Sequence, residues 1–238
     1  GFDLPRLMVG SLGTLGLVST VTFRVHPLPE SSATLLFPGA DAPLAWALVA
    51  AWREAQLEPT AAAALVTSDR LDLGVRFEGF APGVAEQSER LLALASGAGA
   101  RGERLGEAGA ADFWGRHEAA RTAGPLRVKV SAPPSRLADV AREVLPALLG
   151  ELSPAAAVWY PTLGLGFVGG APAPGAAAAV ERGRGAARGL GGSLVLCDAP
   201  REVRALVDVW GPPPPACPLM GSLKHRRDPD RPRPAPPR

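Results

Sequence analysis

The sequence predicts an α+β protein that is built mainly from two ferredoxin-like βαββαβ units with antiparallel sheets. The first observation is the order of predicted elements after residue 30, which reads strand, helix, strand, strand, helix, strand. The second is that this order returns after an interruption at 106–124. The third is the composition of the 238 residues, 47% hydrophobic and 20% charged, which is typical of a folded globular chain.

The first unit is predicted to span about residues 31–106. Asp41 suits the N-cap of a helix because its side chain can accept a backbone N–H, and Pro43 suits the first turn. A Ser68-Asp69-Arg70 turn is expected between two strands. The predicted elements are a strand at 34–37, a helix at 41–57, strands at 61–67 and 71–78, a helix at 84–95 and a strand at 100–105.

The second unit is predicted to span about residues 125–198. Leu137, Val140 and Val144 fall at helical spacing, and Pro146 predicts a kink in the same helix. The predicted elements are a strand at 126–131, a helix at 135–149, strands at 157–160 and 163–168, a helix at 175–188 and a strand at 193–197. The two halves share no visible sequence identity, so the repeat is one of pattern.

The residues outside these units also carry local signals. Residues 17–25 alternate and are rich in β-branched side chains, which favours a strand that ends before Pro27. Helices are predicted at 4–9, 202–210 and 219–226, and the Pro- and Arg-rich end from residue 229 is predicted to be disordered. The predicted domains are therefore 1–30, 31–211 and 212–238.

Charge distribution and cysteine count exclude several classes of function. The net charge is +2, and residues 222–238 carry six basic and two acidic side chains, so the rest of the chain has no basic patch for nucleic acid. No apolar run approaches the ~20 residues of a membrane-spanning helix. Cys197 and Cys217 are too few for a metal cage or a disulfide framework, and they favour a reducing, cytoplasmic location.

Three glycines, Gly10, Gly13 and Gly16, are spaced three residues apart immediately before the predicted strand at 17–25. Glycine tolerates positive φ and lets a ligand approach the main chain, so the pattern favours a loop that contacts a flat ligand. It is not the dinucleotide-binding fingerprint, in which the glycines follow a strand and open a helix. A structural turn is the alternative interpretation.

The sequence around these glycines resembles the end of the PCMH-type FAD-binding domain in FAD-linked oxidases of the vanillyl-alcohol oxidase superfamily. The motif is Gly-Ser-Leu-Gly-Thr-Leu-Gly-Leu-Val, followed by Thr-x-Arg-x-x-Pro, within residues 4–29. Because Leu12 replaces the Glu common in D-lactate-type members, the segment is most similar to the FAD-binding subunit of glycolate oxidase, GlcE. Residues 218–230 resemble the ending of the same family, with Arg227 where an aromatic residue is usual.

This resemblance implies FAD as the cofactor and oxidation of a 2-hydroxy acid as the reaction. It also implies a complex with a sister FAD-linked subunit and an iron–sulfur subunit, which would bring peripheral attachment to the inner membrane. The residues implied to contact the flavin are Ser11, Gly13, Thr14, Leu15, Gly16, Leu17 and Val18. Residues 31–211 are implied to form a cap over the flavin. The family's pyrophosphate-binding segment is expected upstream of Gly1, so these residues alone are expected to be inactive.

The densest group of polar and aromatic side chains comprises Trp114, Arg116, His117 and Glu118, and Arg121 follows it. Arg127 and Lys129 share one face of a predicted strand, with a spacing that suits a carboxylate. We interpret the first group as a surface loop and the second as a solvated strand face, with Trp159 and Tyr160 packed inside the second unit, and we assign no catalytic residue. Two other functions stay open: a non-catalytic assembly module or truncated remnant, and another FAD-linked oxidase such as a D-lactate dehydrogenase type.

Overall fold

The structure is a computed structural model that describes residues 3–11, 13, 15–66, 71–213 and 216–227. These residues form two compact units. One unit comprises the described residues of Gly1–Pro27 and Pro212–Arg238, and the other is Leu28–Gly211. The predicted turn at 68–70 and the predicted disordered end from residue 229 lie outside the described residues.

The elements largely follow the predicted order. The strands are β1 (Ser31–Ala40), β2 (Ala61–Val66), β3 (Leu71–Gly79), β4 (Glu103–Arg104), β5 (Leu126–Ser131), β6 (Leu152–Tyr160), β7 (Leu165–Pro172) and β8 (Ser193–Asp198). The helices are α1 (Leu4–Met8), α2 (Ala42–Glu54), α3 (Ala81–Gly97), α4 (Glu107–Arg121), α5 (Leu137–Glu143), α6 (Leu145–Leu149), α7 (Ala176–Gly189), α8 (Arg201–Arg204) and α9 (Cys217–Arg227). Helices α1 and α9 belong to the smaller unit. None of these helices is long and apolar enough to cross a membrane.

All the strands of the larger unit join one eight-stranded sheet with the order β4-β1-β3-β2-β6-β7-β5-β8. Every neighbouring pair is antiparallel. Each half repeats the strand order of a ferredoxin-like βαββαβ unit, so the predicted α+β class with antiparallel sheets is confirmed. The two halves join edge to edge through β2 and β6, where Leu65 pairs with Val158.

Local sequence signals set several helix ends. The Asp41 side chain accepts a hydrogen bond from the Leu44 backbone N–H at 2.8 Å, and α2 begins at the next residue, as predicted. The predicted helix at 135–149 is interrupted at Val144, so that it forms α5 and α6, because Pro146 has no N–H for the helical ladder.

The two sides of the sheet are covered differently. One side packs against α2, α3, α5, α6 and α7, and its strand residues, such as Leu35, Val75 and Val130, are fully buried. The intervening residues of each strand point to the other side. There, α4 contacts β2, β6 and β7 where the two halves meet. The larger unit therefore has a thick helical layer on one side and a single crossing helix on the other.

The predicted strand at 17–25 is wrong. No strand is assigned among the described residues 15–30, and the side chains at 17–30 are exposed, with Leu17 at 95% and Phe23 at 79% of their full exposure. The alternating pattern reports only a preference for a sheet. A strand also needs a neighbour for its N–H and C=O groups, and none of the described strands pairs with this segment.

Two further predictions differ from the structure. The interruption at 106–124 is the helix α4 and not a surface loop. Phe113 is its only buried residue, so an apolar stripe was not visible in the sequence. The predicted helix at 202–210 is limited to α8, because a turn held by the Asp208 side chain, which accepts the N–H groups of Trp210 and Gly211, ends the segment.

Candidate functional site

The candidate site lies on the side of the sheet that α4 crosses. Phe113 holds α4 in place, because it is fully buried and its ring rests directly on the backbone of Gly74 in β3. A Cβ atom added at Gly74 would stand 2.1 Å from that ring, and Ala63, the strand partner of Gly74, is also small. The small side chains at the centre of the sheet thus make room for the helix.

Next to Phe113, side chains from α4, β6 and β7 form a continuous line of rings, which we call the aromatic row: Trp114, His117, Tyr160 and Phe167. Neighbouring ring centroids lie 5.6, 5.5 and 6.4 Å apart, in edge-to-face contacts. Trp114 donates its indole N–H to the buried Thr34 hydroxyl at 3.1 Å. The row therefore crosses the join between the two halves of the sheet.

The polar centre of the aromatic row is a hydrogen bond of 2.9 Å between His117 Nε2 and the Tyr160 hydroxyl. Burial lowers the pKa of His117 below its ordinary value of 6.5, although Glu118 acts in the opposite direction. Burial also raises the pKa of Tyr160 above 10.0. At pH 7 both groups are therefore neutral, and one imidazole nitrogen is available as an acceptor.

Charged groups surround this pair. Arg121 donates from Nε to Glu118 at 2.9 Å, and a second, shorter bond runs from its Nη2. This hydrogen bonding holds the pKa of Glu118 below its usual value. On the other side of Trp114, the Arg76 guanidinium carbon lies 4.9 Å from the indole centroid. Its Nε is buried without a hydrogen bond and lies 3.6 Å from Glu78.

A cavity of about 300 Å³ opens beside Tyr160, between the start of β2 and the turn that joins β6 to β7. Its lining residues are Pro59, Thr60, Ala61, Ala62, Ala63, Tyr160, Thr162 and Leu163. The walls are mainly apolar, and their polar side-chain groups are the hydroxyls of Thr60, Tyr160 and Thr162. A cavity of this kind, small and apolar with a few polar groups, suits a small organic ligand.

The lowered pKa of His117 predicts a specific pH dependence of folding. As the pH falls, His117 is protonated near pH 6.5 in the unfolded chain but only at a lower pH in the folded chain. The stabilising contribution is therefore fully present above about pH 6.5 and is lost as the pH falls through the lower pKa of the folded state. Chemical denaturation over a pH series measures this effect, and His117→Gln is expected to remove it. The control His26→Gln changes an exposed residue and is expected to keep it; equal pH profiles for wild type and His117→Gln would contradict the prediction.

The structure separates the other residues that the sequence pointed to. Arg116 is exposed and pairs with Asp112 at 2.9 Å. Arg127 lies 3.8 Å from Asp198 on the neighbouring strand. Lys129 pairs across strands with Phe167, at the end of the aromatic row. Only His117, Trp114 and the Glu118–Arg121 pair come together around Tyr160.

Tyr160 is the residue of the candidate site that the sequence analysis misplaced, because it was expected to pack inside the second unit. Trp159 packs in the core as predicted, but its neighbour Tyr160 points to the opposite side of the sheet, toward α4. Strand alternation is the signal that separates them. Arg76 and Phe167 reach the same side by the same rule, because they alternate with the buried Val75 and Val168.

The residues implied to contact a flavin lie in the smaller unit, and Thr14 falls outside the described residues. Gly10 and Gly13 have φ values of +80° and +74°, as the spacing of the glycines predicted. A Cβ atom at Gly13 would meet nothing within 4 Å, and Leu17 and Val18 are exposed. Ser11 donates its backbone N–H to Met8 at 3.2 Å. Leu15 and Gly16 continue the same segment.

Part of the chain is similar in sequence to known proteins. No protein-family model matches the chain. The chain is 36% identical over 83 residues to an uncharacterized FAD-linked oxidoreductase of Mycobacterium tuberculosis, found in two strains, and the alignment covers 32% of this chain and 18% of that protein. This similarity supports the prediction of an FAD-linked oxidoreductase.

The fold is similar to that of alkyldihydroxyacetonephosphate synthase, with a TM-score of 0.56 at 15% sequence identity. The match covers 96% of this chain and 48% of the synthase, so the chain spans about half the length of that protein. At this identity the likeness concerns the fold alone.

Proposed function

We propose that this chain is part of an FAD-linked oxidoreductase, in which residues 1–30 complete a flavin-binding domain and residues 31–211 form the cap. The observation that carries the proposal is the glycine loop at 10–16, with its Ser-Leu-Gly-Thr-Leu-Gly sequence and its positive φ at Gly10 and Gly13. The partial identity to an FAD-linked oxidoreductase supports the same reading.

The residues present fit a flavin. The backbone at Gly13 is open, since nothing lies near the position of a Cβ atom, and main-chain N–H and C=O groups can approach a flat ring there. Leu17 and Val18 offer exposed apolar side chains immediately after it. The flavin contacts are assigned to Ser11, Gly13, Thr14, Leu15, Gly16, Leu17 and Val18. When bound, FAD supplies a hydride acceptor.

The finer proposal is the FAD-binding subunit of a glycolate-oxidising complex, which acts on a 2-hydroxy acid. Leu12 supports this assignment over a D-lactate dehydrogenase type, and the ending at 218–230 resembles that of the same family. Two cysteines are too few to ligate an iron–sulfur cluster, so this chain must pass electrons to another group. We propose that a sister FAD-linked subunit and an iron–sulfur subunit receive them, as the resemblance implies. We place the complex in the cytoplasm, peripheral at the inner membrane through these partners.

The test uses the longest natural reading frame that contains this chain, purified with its neighbouring gene products. We expect the visible absorbance of bound flavin, and we expect this absorbance to bleach when glycolate is added without oxygen. A protein that retains flavin but is bleached by no 2-hydroxy acid would disprove the substrate class. A protein that is purified without flavin and takes up no added FAD would disprove the cofactor.

Gly13→Val provides the matched variant for the cofactor. Valine disfavours a φ of +74°, so the loop must change its path and flavin retention is expected to fall. Gly99→Val is the control, because Gly99 also has positive φ, +78°, and an open surrounding, but lies after α3. If both variants lose the same amount of flavin, the loss reflects general destabilisation and the assignment of the loop is wrong.

A further inference from the structure

We infer that the cavity beside Tyr160 binds a small uncharged molecule that carries a carboxamide group on a mainly apolar body. The cavity lies within the larger unit, and the inference does not depend on the proposed flavin chemistry. It has two supports. The described lining residues carry no charge, and two of their hydroxyl groups, those of Tyr160 and Thr162, can still bond to a ligand.

The cavity exists because β2 and β6 separate at this end of the sheet. The two strands pair through residues 64–66 of β2 and 157–159 of β6, and residues 61–63 of β2 extend beyond this pairing. These three residues are alanines, so no side chain longer than a methyl group projects from them into the space. Pro59 and Leu163 add further apolar wall.

The volume of the cavity sets the size of the ligand. At about 300 Å³ it is at the lower end of the range for ligand pockets. An apolar cavity of about 150 Å³ in another protein holds benzene. The space beside Tyr160 therefore has room for an apolar body of that size together with one polar group.

The lack of charge in the wall excludes an ionised ligand. Burial raises the pKa of Tyr160, the one titratable lining residue that the structure describes, so this group is neutral at pH 7. Glu118 and Arg121 do not line the cavity. A carboxylate or an ammonium group would lose water on entry and would meet no opposite charge. The ionised 2-hydroxy acid of the proposed reaction is therefore not the ligand of this cavity.

The three hydroxyl groups of the wall differ in what they can still bind. Thr60 donates to the Arg76 carbonyl at 3.1 Å, so its proton is committed to the backbone. Within the described part of the chain, the Thr162 hydroxyl has no hydrogen-bond partner. Tyr160 is bonded to His117 Nε2 at 2.9 Å, and a phenol hydroxyl can make at least one more bond.

The tautomer of His117 decides which kind of bond Tyr160 offers to a ligand. With the imidazole proton on Nδ1, Nε2 accepts the Tyr160 O–H, and the phenol oxygen can accept a bond from the ligand. With the proton on Nε2, the imidazole donates to the phenol oxygen, and the Tyr160 O–H can donate to the ligand. In either case Thr162 can donate or accept.

A carboxamide fits both cases. Its C=O accepts and its N–H groups donate, so it can bond to the Tyr160 and Thr162 hydroxyls with either tautomer of His117. A ketone lacks the donor, and a carboxylate lacks the donor and carries a charge. The amide is therefore the polar group that satisfies both hydroxyls without bringing a charge into the apolar wall.

Binding is tested on the full chain by an NMR titration with hexanamide at pH 7. Tyr160 is the only tyrosine of the sequence, so tyrosine ring signals report on this wall directly. We expect saturable shifts of these signals with a Kd of about 1 mM or lower. The absence of a saturable shift would overturn the inference.

Two ligands of the same shape separate the effects of charge and of the N–H donor. Hexanoate replaces the amide nitrogen by a charged oxygen and is expected to bind at least about 10-fold more weakly than hexanamide. Heptan-2-one replaces the same nitrogen by a methyl group and is expected to bind about 2- to 10-fold more weakly. Equal affinity for hexanoate would contradict the uncharged class, and equal affinity for heptan-2-one would contradict the amide.

Substitutions in the wall locate the binding site. Ala61→Leu fills the cavity and is expected to weaken hexanamide binding at least about 10-fold, because the apolar body loses its space. Ala155→Leu is the matched control, since Ala155 is an exposed strand alanine of β6 that does not line the cavity. A folded Ala61→Leu that binds hexanamide like the wild type would place the ligand elsewhere and overturn the inference.

Thr162→Val keeps the test decisive if Ala61→Leu does not fold. Valine has the shape of threonine but no hydroxyl, so hexanamide is expected to bind about 2- to 10-fold more weakly. Thr122→Val is the control, because Thr122 is exposed and lies outside the cavity. If the two threonine variants bind hexanamide with the same affinity, Thr162 does not hold the amide and the inference fails.

Discussion

Replacing Phe113 by alanine is expected to lower the free energy of unfolding by about 3–5 kcal/mol, the usual cost of truncating a buried phenylalanine. Phe113 is fully buried and is the only buried residue of α4. Alanine is the best helix former, so the loss comes from packing against the sheet and not from helix propensity. Urea denaturation measures it, and Phe80→Ala, at a 75% exposed position, is expected to stay within about 0.5 kcal/mol of the wild type.

A double-mutant cycle with Gly74 sharpens this prediction. Gly74→Ala alone brings a methyl group against the Phe113 ring and is expected to destabilise the protein by about 1–3 kcal/mol. In Phe113→Ala the ring is gone, so the added methyl group fills part of the space. The double variant is therefore expected to be more stable than the sum of the two single effects implies. Strict additivity would mean that α4 does not rest on Gly74.

Helix ends and short strands could be predicted because their signals are local. Asp41 and Pro43 mark the start of α2 by hydrogen bonding and fixed φ, and Pro146 breaks a helix wherever the chain lies. The alternation in β5 predicts its six residues correctly, because one of its sides is core and the other is not. Each of these signals involves residues within a few positions of one another.

The pairing of strands could not be predicted from the same patterns. Residues 17–25 alternate as clearly as β5 does, yet β5 lies between β7 and β8 and the earlier segment pairs with none of the described strands. The junction of the two halves through β2 and β6 depends on which strand edges meet. That choice depends on contacts between residues far apart in the chain, which a local pattern does not contain.

The candidate site illustrates the same limit. His117 was visible as part of a dense polar and aromatic group, but its partner Tyr160 lies 43 residues away. Only the position of α4 over the sheet brings them within hydrogen-bonding distance. Residue composition therefore located His117 but not Tyr160. Because Trp159 and Tyr160 alternate on β6, Tyr160 can be assigned to the α4 side of the sheet once Trp159 is known to face the core.

Replacing Arg184 by methionine is expected to lower the free energy of unfolding by about 2–4 kcal/mol, because hydrogen bonds to a charged group contribute about 1.5–3 kcal/mol each. Arg184 is only 4% exposed. It donates to the Leu194 carbonyl at 3.2 Å, to the Asp208 carbonyl at 2.6 Å and to the Glu181 carboxylate. Methionine fills a similar volume but leaves both backbone carbonyls without this donor. Urea denaturation measures the loss.

The structural destabilisation in Arg184→Met is expected to begin locally, in the segment that follows α8. The Leu196 N–H donates to the Val209 carbonyl at 2.9 Å, next to the Asp208 carbonyl that Arg184 holds. Amide exchange at Leu196 should therefore quicken in Arg184→Met before global unfolding does. The exchange rate at Leu196 in Arg184→Lys is expected to lie between those of the wild type and Arg184→Met. The reason is that an ammonium group lacks the planar fork with which a guanidinium reaches several acceptors. Arg182→Met is the control, since Arg182 is exposed on the same helix. Equally slow exchange of the Leu196 amide in Arg184→Met and Arg182→Met would contradict this prediction. It would mean that apolar contacts such as those of Val207, and not the buried guanidinium, stabilise the segment.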